Sequence, residues 1–323
     1  IMKKILEVKN LKVHFELSSG LFKPKKVVHA VDGIDFEVFE GETLGIVGES
    51  GCGKSSLARA LCGLNKITSG SALFNGIDLA NASNKQWDEV HKQMQFIFQD
   101  PVAALDPRMT VAEIIAEPLV TLYPNMKQAE VMAKVFSTMK LVGLSQNQVN
   151  RYPQEFSGGQ CQRIGIARAL ILEPKVLICD ESVSALDVSI KAQIINLLQE
   201  LQQKLKLTIL FISHDLGVIK HICNRILVMY LGNIMELGAK KTIYSDPLHP
   251  YTKALLSAVP VANPELEKAK VIQLLEGELP SPVNPPHGCV FHTRCPLASE
   301  ACSLSRPTEK IVREHSVSCF KVN

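Results

Sequence analysis

The chain has 323 residues, 46% hydrophobic and 21% charged, enough for one large α/β domain with an appendage or for two modest domains. Thirty-five basic residues against 32 acidic ones leave a net charge of +3, which offers no basic footprint for nucleic acid and no acidic tail. No stretch reaches the roughly 18 consecutive apolar residues that span a bilayer. Strand-like alternation begins at once in Ile5-Leu6-Glu7-Val8 in place of a charged-then-apolar leader, so a cytoplasmic chain that meets a membrane only through partners is expected.

Along the chain, the first 80 residues are strand-rich, with turns at Val31-Asp32-Gly33, Phe39-Glu40-Gly41 and Phe74-Asn75-Gly76-Ile77. Lys23-Pro24-Lys25-Lys26 reads as a solvated loop. The apolar strand Leu44-Gly45-Ile46-Val47 runs into a glycine-rich turn, and helical periodicity follows from Lys54 to Leu64. Residues 111–150 read as helical, with Pro118 and Pro124 breaking the pattern. A further helix is expected from Gly159 to Leu172, stopping before Pro174. Val176-Leu177-Ile178-Cys179 and Thr208-Ile209-Leu210-Phe211-Ile212 are strands buried on both faces. Between them residues 189–206 form an amphipathic helix with Ile190, Ile194, Leu197, Leu198, Leu201 and Leu205 on its apolar stripe. This alternation implies a parallel sheet wrapped by helices. Beyond residue 258 prolines become dense (Pro280, Pro282, Pro285, Pro286), which marks a linker and a small tail. Five cysteines sit in apolar or helical contexts, whereas Cys289, Cys295, Cys302 and Cys319 crowd into the tail. In a reducing compartment that clustering favours a metal over disulfides.

Gly48-Glu49-Ser50-Gly51-Cys52-Gly53-Lys54-Ser55, followed by Ser56, fits the P-loop pattern at every fixed position, after an apolar strand and before a helix. The glycines let successive N–H groups curl toward phosphate oxygens, and the helix N-terminus adds a positive dipole end. Lys54 would reach the β- and γ-phosphates of ATP, and Ser55 would ligate Mg²⁺. Asp180 and Glu181 close a buried strand. Paired with a P-loop they divide the labour: Asp180 holds Mg²⁺ and Glu181 polarises the attacking water as general base.

Phe156-Ser157-Gly158-Gly159-Gln160 resembles the signature motif of ABC ATPases, usually Leu-Ser-Gly-Gly-Gln, and lies in that family's order between P-loop and carboxylate pair. The resemblance implies that Ser157, Gly158, Gly159 and Gln160 meet a γ-phosphate held by the opposite subunit, so the site is composite and needs a dimer. Gln99 resembles the family's Q-loop glutamine, which senses the γ-phosphate and Mg²⁺. Ser184-Ala185-Leu186-Asp187 resembles the D-loop, and His214 the switch histidine that contacts the γ-phosphate. By its offset Phe15 is the candidate adenine platform, the alternative being a core phenylalanine. Ser182 stands where the family usually has proline after the glutamate, which implies a slightly looser turn and an intact catalytic pair.

The repair branch of the family carries long insertions, for which the interval from Lys54 to Ser157 leaves no room. The translation branch carries two ATPase domains per chain, and fused exporters carry membrane helices. A separate importer subunit remains. Phe98-Gln99-Asp100-Pro101, Leu105-Asp106-Pro107-Arg108, Ser184-Ala185-Leu186-Asp187-Val188-Ser189 and His249-Pro250-Tyr251 resemble the oligopeptide/dipeptide importer ATPases over essentially the whole chain. Nickel importers share much of this pattern, and a regulatory ATPase acting by nucleotide-dependent binding is the rival class. Cys289-x5-Cys295-x6-Cys302-x16-Cys319 offers four thiolates for zinc or an iron–sulfur cluster. The spacings are wider than the usual zinc pairs, and peptide-importer relatives with a similar arrangement carry a 4Fe–4S cluster. A 4Fe–4S cluster is the expectation here, with zinc, disulfides or free thiols as alternatives.

The expected architecture is a P-loop α/β core with an antiparallel β-subdomain and a helical subdomain around residues 100–160. The ATPase domain would run over residues 2–236 and the importer-type C-terminal region over 237–323. Implied partners are a second ABC ATPase subunit, two transmembrane permeases and an extracytoplasmic peptide-binding protein, with this chain peripheral on the cytoplasmic face of the membrane.

Overall fold

A computed structural model of the chain describes residues 3–17, 26–260, 273 and 275–322. The basic run at 23–25 lies outside the described residues, and Lys26 opens a strand. Elements are numbered in chain order. The chain divides into two compact units: Ile1–Lys3, Phe39–Glu42 and Ala82–Ile212 form one, and Lys4–Val38, Thr43–Asn81 and Ser213–Asn323 the other.

In the second unit, β1 (Lys4–Leu17) and β2 (Lys26–Phe39) join β4 (Ser69–Phe74) and β5 (Ile77–Asp78) in a four-stranded sheet ordered β2-β1-β4-β5. β1 runs antiparallel to β4, pairing Leu6 with Phe74. This is the expected antiparallel subdomain, although Val31-Asp32-Gly33, read from the sequence as a turn, lies within β2. β3 (Thr43–Val47) is buried at every position and pairs in parallel with β9 (Arg225–Tyr230), as Leu44 with Arg225 and Val47 with Val228. β9 turns back antiparallel into β10 (Asn233–Ala239). The tail does not stand apart from this sheet: β12 (His315–Val317) pairs with β10, and β11 (Lys310–Val312) with β12. The unit's helices include α1 (Lys54–Leu61), α7 (Leu216–Ile222) and α9 (Pro250–Ser257).

In the first unit, β6 (Met94–Ile97), β7 (Val176–Asp180) and β8 (Thr208–Ile212) are parallel, with Ile97 beside Cys179 and Asp180 beside Ile212. β7 and β8 are buried at all five positions each, their apolar runs with the polar Asp180 and Thr208 at the ends included. The helical subdomain contains α3 (Val111–Leu122), α4 (Gln128–Leu141) and α5 (Gly158–Leu170). Pro118 does not break α3 but lies inside it. Burial of Val111, Ile114, Ile115 and Leu119 along the helix offsets a proline penalty of about 3 kcal/mol. α6 (Val188–Leu205) buries Ile194, Ile195, Leu197, Leu198 and Leu201. The stripe read from the sequence is too long at its C-terminal end, where Leu205 is 42% exposed, while Ile190 at the other end is half-buried.

Candidate functional site

β3 delivers the chain into the P-loop and α1 receives it. Gly53 takes φ 107°, and a Cβ there would lie 2.0 Å from the Ala30 carbonyl oxygen, so only glycine fits this corner. Lys54 is 4% exposed. Its Nζ donates to the carbonyls of Gly48 at 2.8 Å and Glu49 at 2.9 Å, which fixes the ammonium inside the loop. The loop is closed by Cys52 N–H on the Glu49 carbonyl and tied to the sheet by Gly232 N–H on the Cys52 carbonyl. Burial pushes the Cys52 thiol up, against the opposing pull of Lys54, so it is a neutral filler and not a nucleophile. Ser50 and Gly51 are exposed, and Ser55 and Ser56 lie half-buried on the first turn of α1. A concave run of backbone amides ending on a helix N-terminus, with one lysine at its centre, is suited to a polyphosphate.

In the same unit, Ser213 N–H donates to Ile46 of β3 at 3.3 Å. That bond moors the segment bearing the exposed His214 to the strand that feeds the loop. Phe15, at 36% exposure on β1, projects from the sheet, so the core alternative does not hold for it.

In the other unit, Asp180 ends β7 at 1% exposure, and the next residue, Glu181, turns sharply out with φ 45°. A non-glycine residue in that region costs about 1 kcal/mol. The strain is held by Glu181 N–H on Ile212 and by Ser184, whose N–H and hydroxyl both donate to the Glu181 carbonyl at 3.0 and 2.8 Å. The turn through Ser182 is thus closed by two bonds without a proline. The Glu181 side chain meets Gln99, whose Nε2 donates to Oε2 at 3.0 Å.

Ser157 caps α5, its hydroxyl accepting from Gln160 N–H at 3.4 Å while Ser157 N–H donates to the Gln160 side chain at 3.0 Å. Gly158 is exposed at that N-terminus. Gly159 is buried against α6: a Cβ would come within 2.4 Å of Ile190. Asp187 precedes α6, exposed beside Val188, which is 84% exposed.

No disulfide joins any of the nine cysteines. Cys289, Cys302 and Cys319 are buried and Cys295 half-buried. Burial raises the Cys289 thiol to about 11, and the other three tail cysteines push in the same direction, which places the four in one neighbourhood. Backbone N–H groups point at three of these sulfurs: Phe291 at Cys289, Leu297 at Cys295, and Lys321 at Cys319 at 3.4 Å.

The structure therefore brings Gln99 to Glu181 and the P-loop residues to one another, and gathers the tail cysteines. Sequence reasoning missed three features. Tyr251 Oη accepts from the P-loop N–H of Glu49 at 2.9 Å, and Arg294 Nη1 donates to both Glu49 carboxylate oxygens at 2.8 and 3.1 Å. Glu236 is a wholly buried carboxylate that accepts from Leu248 N–H, His249 N–H and His315 Nδ1 at 2.9, 3.0 and 2.7 Å. Only the His249-Pro250-Tyr251 motif pointed toward this region.

The ABC transporter family model matches residues 31–184, and the model of the oligopeptide/dipeptide transporter C-terminal region matches residues 235–302. The chain is 58% identical over 324 aligned residues to the oligopeptide transport ATP-binding protein OppF of Salmonella typhimurium, covering 99% of this chain and 97% of that protein. A putative oligopeptide transport ATP-binding protein of Bacillus subtilis, YkfD, is 53% identical over 94% of this chain and 91% of that protein. Among solved structures, the dimeric post-hydrolysis state of the ATP-binding cassette MJ0796 with ADP and Pi superposes with a TM-score of 0.65. It is 26% identical, over 73% of this chain and 98% of that one. Core, antiparallel sheet, helical elements and C-terminal region all agree with this kinship: the chain belongs to the ABC transporter ATPases, in the branch with an oligopeptide/dipeptide-type C-terminal region.

Proposed function

We propose that this chain is the ATP-hydrolysing subunit that drives uptake of di- and oligopeptides through partner permeases. The observation that carries the substrate class is near-full-length likeness to oligopeptide transport ATP-binding proteins, tail included. In this reading Lys54 and the amides of Gly48 through Ser56 hold the β- and γ-phosphates, and Phe15 carries the adenine. Ser55, Asp180 and Gln99 are the oxygen donors for Mg²⁺, a set that suits a hard cation. Bound there, the ion would neutralise charge on the transferring phosphoryl group. Glu181 takes a proton from the attacking water, steadied by its bond from Gln99. His214 contacts the γ-phosphate. Ser157, Gly158, Gly159 and Gln160 serve the nucleotide of a second ATPase subunit, a role favoured by the exposed start of α5, and Asp187 lies at that subunit interface.

An ATPase domain over 2–236 followed by an importer region from 237 accords with the second family match, which begins at residue 235. Among the described residues no helix is long and apolar enough to cross a membrane, so attachment to the cytoplasmic face would run through two permeases fed by an external peptide-binding protein. Cells lacking this chain should lose uptake of a labelled tripeptide and regain it with the intact gene. Loss of Ni²⁺ uptake with peptide uptake intact would favour the nickel reading.

Cys289, Cys295, Cys302 and Cys319 fit a 4Fe–4S cluster. Backbone N–H groups aimed at sulfur favour thiolate ligands. Protein purified without oxygen should carry about four irons and four acid-labile sulfides per chain. One zinc per chain would contradict the cluster.

A further inference from the structure

Glu49 is the only carboxylate in the P-loop segment 48–56, and the C-terminal region grips it twice. Its N–H donates to the hydroxyl of Tyr251, and its carboxylate takes two hydrogen bonds from Arg294. Tyr251 is fully buried, packed against Tyr230 at 4.8 Å and Phe291 at 5.3 Å between ring centroids. The Arg294 side chain is only 9% exposed, with its guanidinium 5.9 Å from the Tyr230 ring centroid. Both gripping groups therefore stand on a rigid aromatic base. The Glu49 carbonyl in turn holds Lys54 Nζ at 2.9 Å, so whatever fixes this peptide also fixes the phosphate-binding lysine.

The electrostatics give the grip a purpose. An unneutralised carboxylate on a loop that must accept a triphosphate would repel it, and a partly buried pair is screened less than a surface one. We propose that Tyr251 and Arg294 are positioning residues of the nucleotide site: Arg294 cancels the Glu49 charge and Tyr251 orients the Glu49 peptide, so the C-terminal region sets the affinity of the P-loop for ATP. This rests on the P-loop as the ATP site and is independent of which solute is transported.

The test is equilibrium binding of a fluorescent ATP analogue to the full chain. Arg294→Gln is expected to weaken binding about tenfold, and adding Glu49→Gln should restore it to within about twofold of wild type. Glu49→Gln alone should bind more tightly than wild type, because it removes the repelling charge and leaves the Arg294 guanidinium in place. It also serves if Arg294→Gln fails to fold, because Glu49 is exposed enough to tolerate the change. Tyr251→Phe should weaken binding in a way that Glu49→Gln does not rescue. Wild-type affinity in Arg294→Gln, a double variant as weak as Arg294→Gln, or binding no tighter than wild type in Glu49→Gln alone would overturn the proposal. Lys54→Met is the separate control: undiminished binding there would instead overturn the P-loop as the nucleotide site.

Discussion

Gln99 Nε2 donates to Glu181 Oε2 at 3.0 Å, linking the end of the β6 segment to the turn that follows β7. The bond fixes a carboxylate that already sits on a strained backbone at φ 45°. A general base must be aimed as well as ionised. Gln99→Ala should lower turnover by about ten- to a hundredfold, a larger effect than its weakening of MgATP binding. Steady-state kinetics of phosphate release in the assembled transporter would check this split.

Glu236 holds three donors at 0% exposure, and His315 opposite it is 1% exposed. Glu236→Leu would strand the N–H groups of Leu248 and His249 together with the His315 ring nitrogen. A loss of about 3 kcal/mol of stability is expected, read as a lowered thermal midpoint. A change near zero would mean that these donors find other acceptors.

His249 caps α9, its Nδ1 accepting from Tyr251 N–H at 3.0 Å, and complete burial lowers its pKa to about 3. The unfolded chain therefore binds a proton that the folded chain refuses between about pH 6.5 and pH 3. The stability this neutral imidazole contributes is complete above pH 6.5 and drains as pH falls through that window. His249→Asn keeps the capping geometry without a titrating ring, so its acid-limb slope of stability against pH should be shallower by up to one proton. An unchanged slope would show that the imidazole is not held neutral.

Much of this was legible in the sequence because it is local. A glycine-rich turn between an apolar strand and a helix can be read without coordinates, and so can a Ser-Gly-Gly helix start or a carboxylate pair closing an all-apolar strand. Pro118 was misjudged because packing along α3 outweighs the local penalty, which no window of sequence weighs. The stripe of α6 was overextended at Leu205 because periodicity gives a helix face and not where its neighbours stop. The contacts of Tyr251 and Arg294 with Glu49 span 202 and 245 residues, beyond any spacing argument. The same holds for β12 joining β10, which makes the tail part of a sheet where proline density suggested a separate appendage.

The most direct measurement is ATP turnover by Glu181→Gln in the complete permease complex. Bound ATP should remain at wild-type occupancy while phosphate release falls by at least about a hundredfold. Turnover close to wild type would contradict Glu181 as the base, and with it the assignment of this carboxylate pair to ATP hydrolysis.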